Sequence, residues 1–251
     1  MKIVFCGYGR AALECFYQLT GNYDVKSSDI MVFTHDNSEN EEFVKHLKAN
    51  NIRLAYDNIN NSLDLIREFH PDYLLSVYYR HIVSIDILNI VNHKAMNLHP
   101  SLLPAYKGTK SSVWAILNNE KYTGISFHYM DSSIDTGRII FKKKIIIRKE
   151  DTAYSLYHKL IGVFSSNFCK AFNLLMDDYD GMEQKGVSSY YSRKLPYDGE
   201  MEIKDLNLEN AWRFVRAMYF PPYKGAVFIL KDGSKVEANS IENLHHYIEA
   251  L

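Results

Sequence analysis

The 251-residue chain has only three cysteines, Cys6, Cys15 and Cys169. They are too few and too scattered for a disulfide framework or a metal knuckle. No apolar run approaches the ~18 residues that cross a bilayer. The apolar opening, residues 3–6, meets Gly7, Gly9 and Arg10 far short of a signal-peptide core. An excess of one charge is missing as well: 29 basic side chains face 30 acidic ones, a formal net charge of −1. That balance argues against bulk binding to nucleic acid or a membrane surface, and a soluble cytoplasmic protein is expected. What the chain does have is apolar material, 47% of its residues, which excludes a disordered chain. A chain of this length buries roughly 70–75% of its unfolded surface and needs no covalent staples. Tyrosine outnumbers phenylalanine 19 to 13, and an apolar ring with a polar tip suits stacking surfaces.

Short apolar runs alternate with helical spacing through the first hundred residues. Strands are expected at 2–6, 29–35, 53–56, 73–79 and 94–99, with helices between them, among them 39–50 with Phe43, Val44 and Leu47 inward. Continuous apolar strands separated by helices predict an α/β fold, a Rossmann-like doubly wound and mostly parallel sheet. Beyond it come a helix at 109–117, long β-type runs at 123–130 and 138–148, and a helix over 152–176. Leu156, Leu160, Val163, Phe164, Phe168, Phe172 and Leu175 form one stripe of that helix. Residues 181–196 are polar and rich in glycine and serine, the best candidate linker. A small α+β subdomain follows, with a helix at 208–218 and strands at 226–230 and 235–238 around an Asp232-Gly233 turn. The expected division is 1–180 and 181–251.

Three constellations carry possible chemistry. Gly7-Tyr8-Gly9-Arg10-Ala11-Ala12 is a G-x-G-x-x-A turn, where glycines let phosphates approach the backbone at a helix N-terminus. Asp36 stands where a dinucleotide's ribose would sit. A dinucleotide, another anion and plain turn chemistry all remain open for this turn. Asn97 and His99 project from one face of a strand, at the end where open parallel sheets hold ligands. An amide beside an imidazole suits a carbonyl oxygen that becomes negative, the alternative being a structural histidine. Asp135, in the loop 130–137, either orients a histidine or closes an Asx turn. Together Asn97, His99 and Asp135 could form an acyl-transfer site without a serine or cysteine nucleophile. No metal is expected: His93, His99 and His128 lack the spacing of a known site, and no C-x-x-C or H-E-x-x-H occurs. His245 and His246 read as solvent-facing. A nicotinamide-dependent sugar-nucleotide reductase would use the first turn but leave Asn97, His99 and Asp135 unexplained.

The segments Asn97-Leu98-His99-Pro100-Ser101-Leu102-Leu103-Pro104, Tyr106-Lys107-Gly108, Trp114-Ala115-Ile116, Thr123-Gly124, His128 and Ile134-Asp135-Thr136-Gly137 resemble, in order and spacing, the folate-dependent formyltransferase family. Residues 213–226, which include Tyr219, Phe220, Pro221, Pro222 and Tyr223, are similar to the C-terminal subdomain of its sugar N-formyltransferase branch. Family members that act on tRNA carry a longer, basic C-terminal domain, which neither the length nor the charge of this chain matches. The resemblance implies transfer of a formyl group from 10-formyltetrahydrofolate, a cosubstrate, to a nucleotide-linked amino-deoxysugar. The foremost acceptor is dTDP-4-amino-4,6-dideoxyglucose, used in O-antigen synthesis; dTDP-3-amino, GDP- and UDP-linked sugars are alternatives. It implies catalysis by Asn97, His99 and Asp135, and folate binding near Ser76, Tyr78, Tyr79, Arg80 and Ile134. Gly7, Tyr8, Gly9 and Arg10 are then expected near the pyrophosphate with Lys107 or Lys110, and one of Tyr219, Phe220 and Tyr223 against the base. Lys107 replaces the family's arginine, a point charge instead of a fork. The hairpin ending near Ala238 is expected to pair two copies as a homodimer.

Overall fold

Ile3, Val4, Phe5 and Cys6 are all wholly buried, which a strand achieves only in a sheet covered on both faces. In a computed structural model, which describes residues 1–202 and 207–240, the chain alternates as the apolar pattern demands. Its first part runs β1 (Ile3–Gly7), α1 (Gly9–Asn22), β2 (Ile30–Phe33), α2 (Glu41–Ala49), β3 (Arg53–Ala55), α3 (Leu63–Phe69), β4 (Tyr73–Val77), α4 (Ile85–Ile90) and β5 (Ala95–His99). Then follow β6 (Lys107–Gly108), α5 (Ser111–Leu117), β7 (Tyr122–Tyr129), β8 (Ile139–Ile146), α6 (Ala153–Met176), β9 (Tyr190–Tyr191), β10 (Glu200–Glu202), α7 (Leu208–Met218), β11 (Ala226–Ile229) and β12 (Lys235–Ala238). The expected His245 and His246 lie outside the described residues. Among the described residues, no helix is long and apolar enough to cross a membrane.

Two compact units are each assembled from separated stretches. The first comprises Met1–His99, Ile125–Lys143 and Ile161–Val187; the second Pro100–Gly124, Lys144–Leu160 and Ser188–Leu251. The linear boundary expected near residue 180 falls within the third stretch of the first unit.

The main sheet has the order β3-β2-β1-β4-β5-β7-β8. β1 pairs in parallel with β2 and β4, and β4 with β5, whereas β7 runs antiparallel to β5. This is the expected doubly wound, mostly parallel sheet. Its strand order reverses between β1 and β4, the place where such sheets open a ligand crevice at their carboxyl ends. One face buries Val4, Cys6, Met31, Phe33 and Leu74 against Ile66 of α3 and Ile87 and Leu88 of α4. On the other, Phe5 meets Phe16 edge-on at 5.3 Å and Phe127 meets Phe164 at 5.7 Å. A Cβ at Gly7 would come within 2.6 Å of the Phe5 ring and 2.8 Å of the Ala12 Cβ, so glycine there lets helix and strand close up. The α6 stripe is buried as expected, except that Val163 lies at its half-buried edge and Ile161 is buried instead.

In the second unit α5 packs against α7, and β10, β11 and β12 form a small sheet. The Asp232-Gly233 turn forms as read: Gly233 has φ +82°, and the Leu230 amide donates to the Ser234 carbonyl at 2.9 Å. Arg216 is buried on α7 and donates to the Asp151 carbonyl at 2.9 Å, while the Asp151 carboxylate holds Lys159 at 2.6 Å. The polar stretch 181–196 is not a plain tether. Met182 pairs with Ile139, and β9 pairs in parallel with β6. Backbone pairing orders a segment whose composition reads as linker, and the two- and three-residue strands β6, β9 and β10 left no periodicity to detect.

Candidate active site

Strand register builds the centre of the site. Across the antiparallel pair β5–β7, Asn97 lies opposite His128 and His99 opposite Ser126. Directly opposed residues share a face of the sheet, so Asn97, His99 and His128 converge. Asn97 Nδ2 lies 3.1 Å from His128 Nε2, and His128 Nδ1 lies 2.6 Å from the Tyr129 carbonyl. A carbonyl only accepts, so Nδ1 carries the hydrogen, and Nε2 of the neutral ring accepts from Asn97.

The fourth member arrives on a loop. Asp131 performs the Asx-turn role, accepting from the Ser133 amide at 3.0 Å and the Thr136 hydroxyl at 2.6 Å. Asp135, in the left-handed region at φ 54°, is instead turned inward and is 8% exposed. Its Oδ2 lies 3.3 Å from His99 Nδ1, and its Oδ1 lies 3.4 Å from both His128 Nε2 and Asn97 Nδ2. One buried carboxylate thus faces two imidazoles and an amide, and low solvent access strengthens its contacts with the donors among them, His99 and Asn97. A Cβ at Gly137 would lie 1.9 Å from the Tyr129 carbonyl, so only glycine lets the loop pass. The Gln184 amide donates to the carbonyls of Asp135 and Gly137.

The loops after β1 and β4 form a second, more open cluster. The Gly9 amide donates to Asn40 Oδ1 at 2.8 Å, and the Thr34 hydroxyl to the Gly7 carbonyl at 2.7 Å. The glycine turn is therefore knitted by neighbouring side chains. Tyr8 donates to Glu39 and to Asn37, and burial first, then the Glu39 hydrogen bond, pushes its hydroxyl up to about 12. The Arg80 guanidinium lies 3.8 Å over the Tyr8 ring and 2.9 Å from Glu39 Oε2. Residues expected at different ligands, Tyr8 and Arg80, are thus in contact. His35 stacks on Tyr79 at 5.1 Å and lies 5.0 Å from His81. The Tyr79 hydroxyl is held by the backbone of Asp57 and Ile59. Tyr78 sets its ring edge against Phe164, Ser76 is buried on β4 beside Asn97, and Ile134 is exposed. Arg10 is exposed and pairs with Glu14 at 3.6 Å.

The remaining expected residues belong to the second unit. Lys107 starts β6, and Lys110 precedes α5 at φ 58°. The Tyr219 carbonyl accepts from the Tyr154 amide at 3.1 Å. Phe220 packs edge-on against Tyr154 and Tyr157, whereas Tyr223 is 58% exposed.

An imidazole, an amide and a buried carboxylate suit direct attack of an external nucleophile on a carbonyl. Among the described residues, no group of three or more histidine, cysteine or acidic side chains is placed to hold a metal. A family model described as Formyl transferase matches residues 26–169. GDP-perosamine N-formyltransferase of Brucella melitensis biotype 1 is 35% identical over 244 residues, spanning 96% of this chain and 93% of that protein. The chain belongs to the sugar N-formyltransferase family. Among solved structures similar to this formyltransferase is WlaRD, described as a sugar 3N-formyl transferase in the presence of dTDP and 5-N-formyl-THF. It is 27% identical with a TM-score of 0.71, over 90% of this chain and 82% of that one. A 4-N formyltransferase from Francisella tularensis shares the fold at 24% identity, with a TM-score of 0.77 over 95% and 97% of the two chains.

His128 and Gln184 were not among the residues expected at the site. The alternation within β7 picks out His128 only after its pairing with β5 is known. Nothing local marks Gln184, a lone amide in a polar stretch.

Proposed function

We propose that this formyltransferase moves the formyl group of 10-formyltetrahydrofolate to the 4-amino group of a nucleoside-diphosphate-linked 4-amino-4,6-dideoxyhexose. The observation that carries the reading is the buried Asn97–His99–Asp135 cluster at the end of β5. With Asp135 on its Nδ1, His99 presents Nε2 to the reacting amine and takes the proton that must leave it. Asn97 donates to the oxygen that turns negative as the amine adds to the formyl carbon. When that oxygen re-forms the carbonyl, the bond from the formyl carbon to folate N10 breaks, and N10 leaves with the proton that His99 took from the amine. Its 3.4 Å contact to Asp135 is the long one of its two, and hence the one exchanged for that oxygen. His128, accepting from the other amide hydrogen, keeps the Asn97 side chain aimed.

For the donor we assign Ser76, Tyr78, Tyr79, Arg80 and Ile134; WlaRD, described with 5-N-formyl-THF, supports a folate cosubstrate. For the acceptor we assign Gly7, Tyr8, Gly9, Arg10, Lys107 and Lys110, with Tyr223 stacking on the base. The Gly9 amide is already engaged by Asn40, so the side chains of Tyr8 and Arg10 carry the pyrophosphate contact, and Gly7 and Gly9 leave room for it beside the backbone. The sugar reading begins with dTDP-4-amino-4,6-dideoxyglucose. A second reading, the GDP-linked sugar, is favoured by the Brucella relative named for GDP-perosamine. The product serves a surface polysaccharide such as O-antigen, and the chain pairs as a homodimer along β12, the edge of its sheet.

The test is incubation with 10-formyltetrahydrofolate and a panel of dTDP- and GDP-linked 4-amino and 3-amino sugars, followed by mass spectrometry. Formyl gain on a 4-amino sugar is expected. Gain only on a 3-amino sugar overturns the ring position, and no gain on any sugar overturns the reading. Loss of nucleotide affinity in Tyr223→Ala with folate affinity unchanged is expected; no change removes the stacking role.

A further inference from the structure

Gln184 lies beyond α6 in the stretch that reads as a linker, yet its side chain reaches the loop that carries Asp135. Nε2 donates to the Asp135 carbonyl at 2.8 Å and to the Gly137 carbonyl at 2.9 Å. A side-chain amide nitrogen has two hydrogens, so both are spent on the backbone on either side of Thr136. Asp135 sits there at φ 54°, a region that non-glycine residues hold when their surroundings impose it. The clamp is itself anchored. Ile139 and Met182 exchange backbone hydrogen bonds at 2.7 and 2.8 Å. Arg138 donates to the carbonyls of Asp180 and Gly181 at 2.7 and 2.8 Å.

The far end of the same amide shows what the glutamine is for. Gln184 Oε1 is buried and has no hydrogen-bond partner among the described residues, a cost that an apolar side chain of the same shape would not carry. The glutamine is therefore poorly suited to act as filler. What it contributes is a pair of donors at a backbone that must stay bent.

We propose that Gln184 is a positioning residue of the active site, holding residues 135–137 so that the Asp135 carboxylate keeps its distances to His99, His128 and Asn97. The kinetic consequence rests on the formyl-transfer reading of that cluster. A displacement of the carboxylate by about 1 Å costs up to about 10²-fold in rate.

The test replaces the amide with a chain of similar length that has no donor, Gln184→Met. The expected result is kcat lowered by about 10- to 100-fold, KM for both substrates within about threefold of wild type, and the melting temperature within a few degrees. In the substrate-free protein, the imidazole ¹⁵N signals of His99 and His128 are expected to move. A folded Gln184→Met with kcat within about twofold of wild type overturns the proposal. So does a loss of activity matched by a loss of melting temperature with the imidazole signals unmoved, which marks a purely structural role. Gln184→Glu sets a carboxylate oxygen against two carbonyls, and activity above that of Gln184→Met overturns the donor argument. Because the imidazole signals need no turnover, a wild type that formylates nothing sinks the functional reading separately. In that event moved signals still support the clamp and unmoved ones overturn it.

Discussion

Two clusters at neighbouring strand ends of one sheet are built on opposite plans. Asn97, His99, His128 and Asp135 rest mainly on β5 and β7, and both histidines are 3% exposed. Tyr8, Glu39, Arg80, His35 and Tyr79 rest on loops, and the side chains of the Arg80–Glu39 pair are 44% and 46% exposed. The first excludes water, so its charges and dipoles act at full strength and their geometry is set by strand register. The second sits where salt screens it and side chains can exchange partners. Chemistry needs the former arrangement, whereas binding and release of a charged substrate need the latter.

The largest effect should come from the buried cluster. His99→Asn or Asp135→Ala is expected to lower kcat by about 10²–10⁴-fold with the fold retained by circular dichroism; near-normal turnover breaks the comparison at its root. Next comes Asn97→Ala, where the loss of one oxyanion donor should cost about 10²–10³-fold in kcat at nearly unchanged KM. In the open cluster the sign of the split reverses. Arg80→Ala should raise KM for 10-formyltetrahydrofolate by about tenfold, the worth of one charge-assisted contact reduced by screening, and leave kcat nearly as it was. A fall in kcat as deep as that of His99→Asn would merge the two clusters into one. The smallest effect belongs to Tyr8. Its hydroxyl, held up to about 12 in the fold, ionises near 10 in the unfolded chain. Stability from this group is complete below pH 10 and is lost as pH rises towards 12. Denaturant melts at pH 9 and 11.5 should therefore show wild type losing more stability than Tyr8→Phe; equal losses refute the burial of that hydroxyl.

Much of the buried cluster was legible in the sequence. The alternation of Asn97 and His99 on a strand that ends an apolar run needs only local periodicity. Asp135 was legible as one of two outcomes, orienting acid or turn former. The structure divides these roles, giving the Asx turn to Asp131 and the histidine contacts to Asp135. The open cluster was less legible. Tyr8 and Arg80 were separately visible in their motifs, but their stacking and their shared carboxylate Glu39 follow from the adjacency of β1 and β4. Composition also misled over residues 181–196, because backbone pairing draws on main-chain groups that every residue carries.

By itself, the sequence determined what is periodic or adjacent along the chain: the alternation of strands and helices, the turn after β1, and the side-by-side placement of Asn97 and His99. Those follow from side-chain repeats of 2.0 and 3.6 residues, which act within a few positions. Only the tertiary structure decided that His128 stands across from Asn97, that Asp135 turns inward, and that Gln184 clamps its loop. Each of these depends on which strand lies beside which and in what register, and that is settled by burial and pairing between segments distant in the chain.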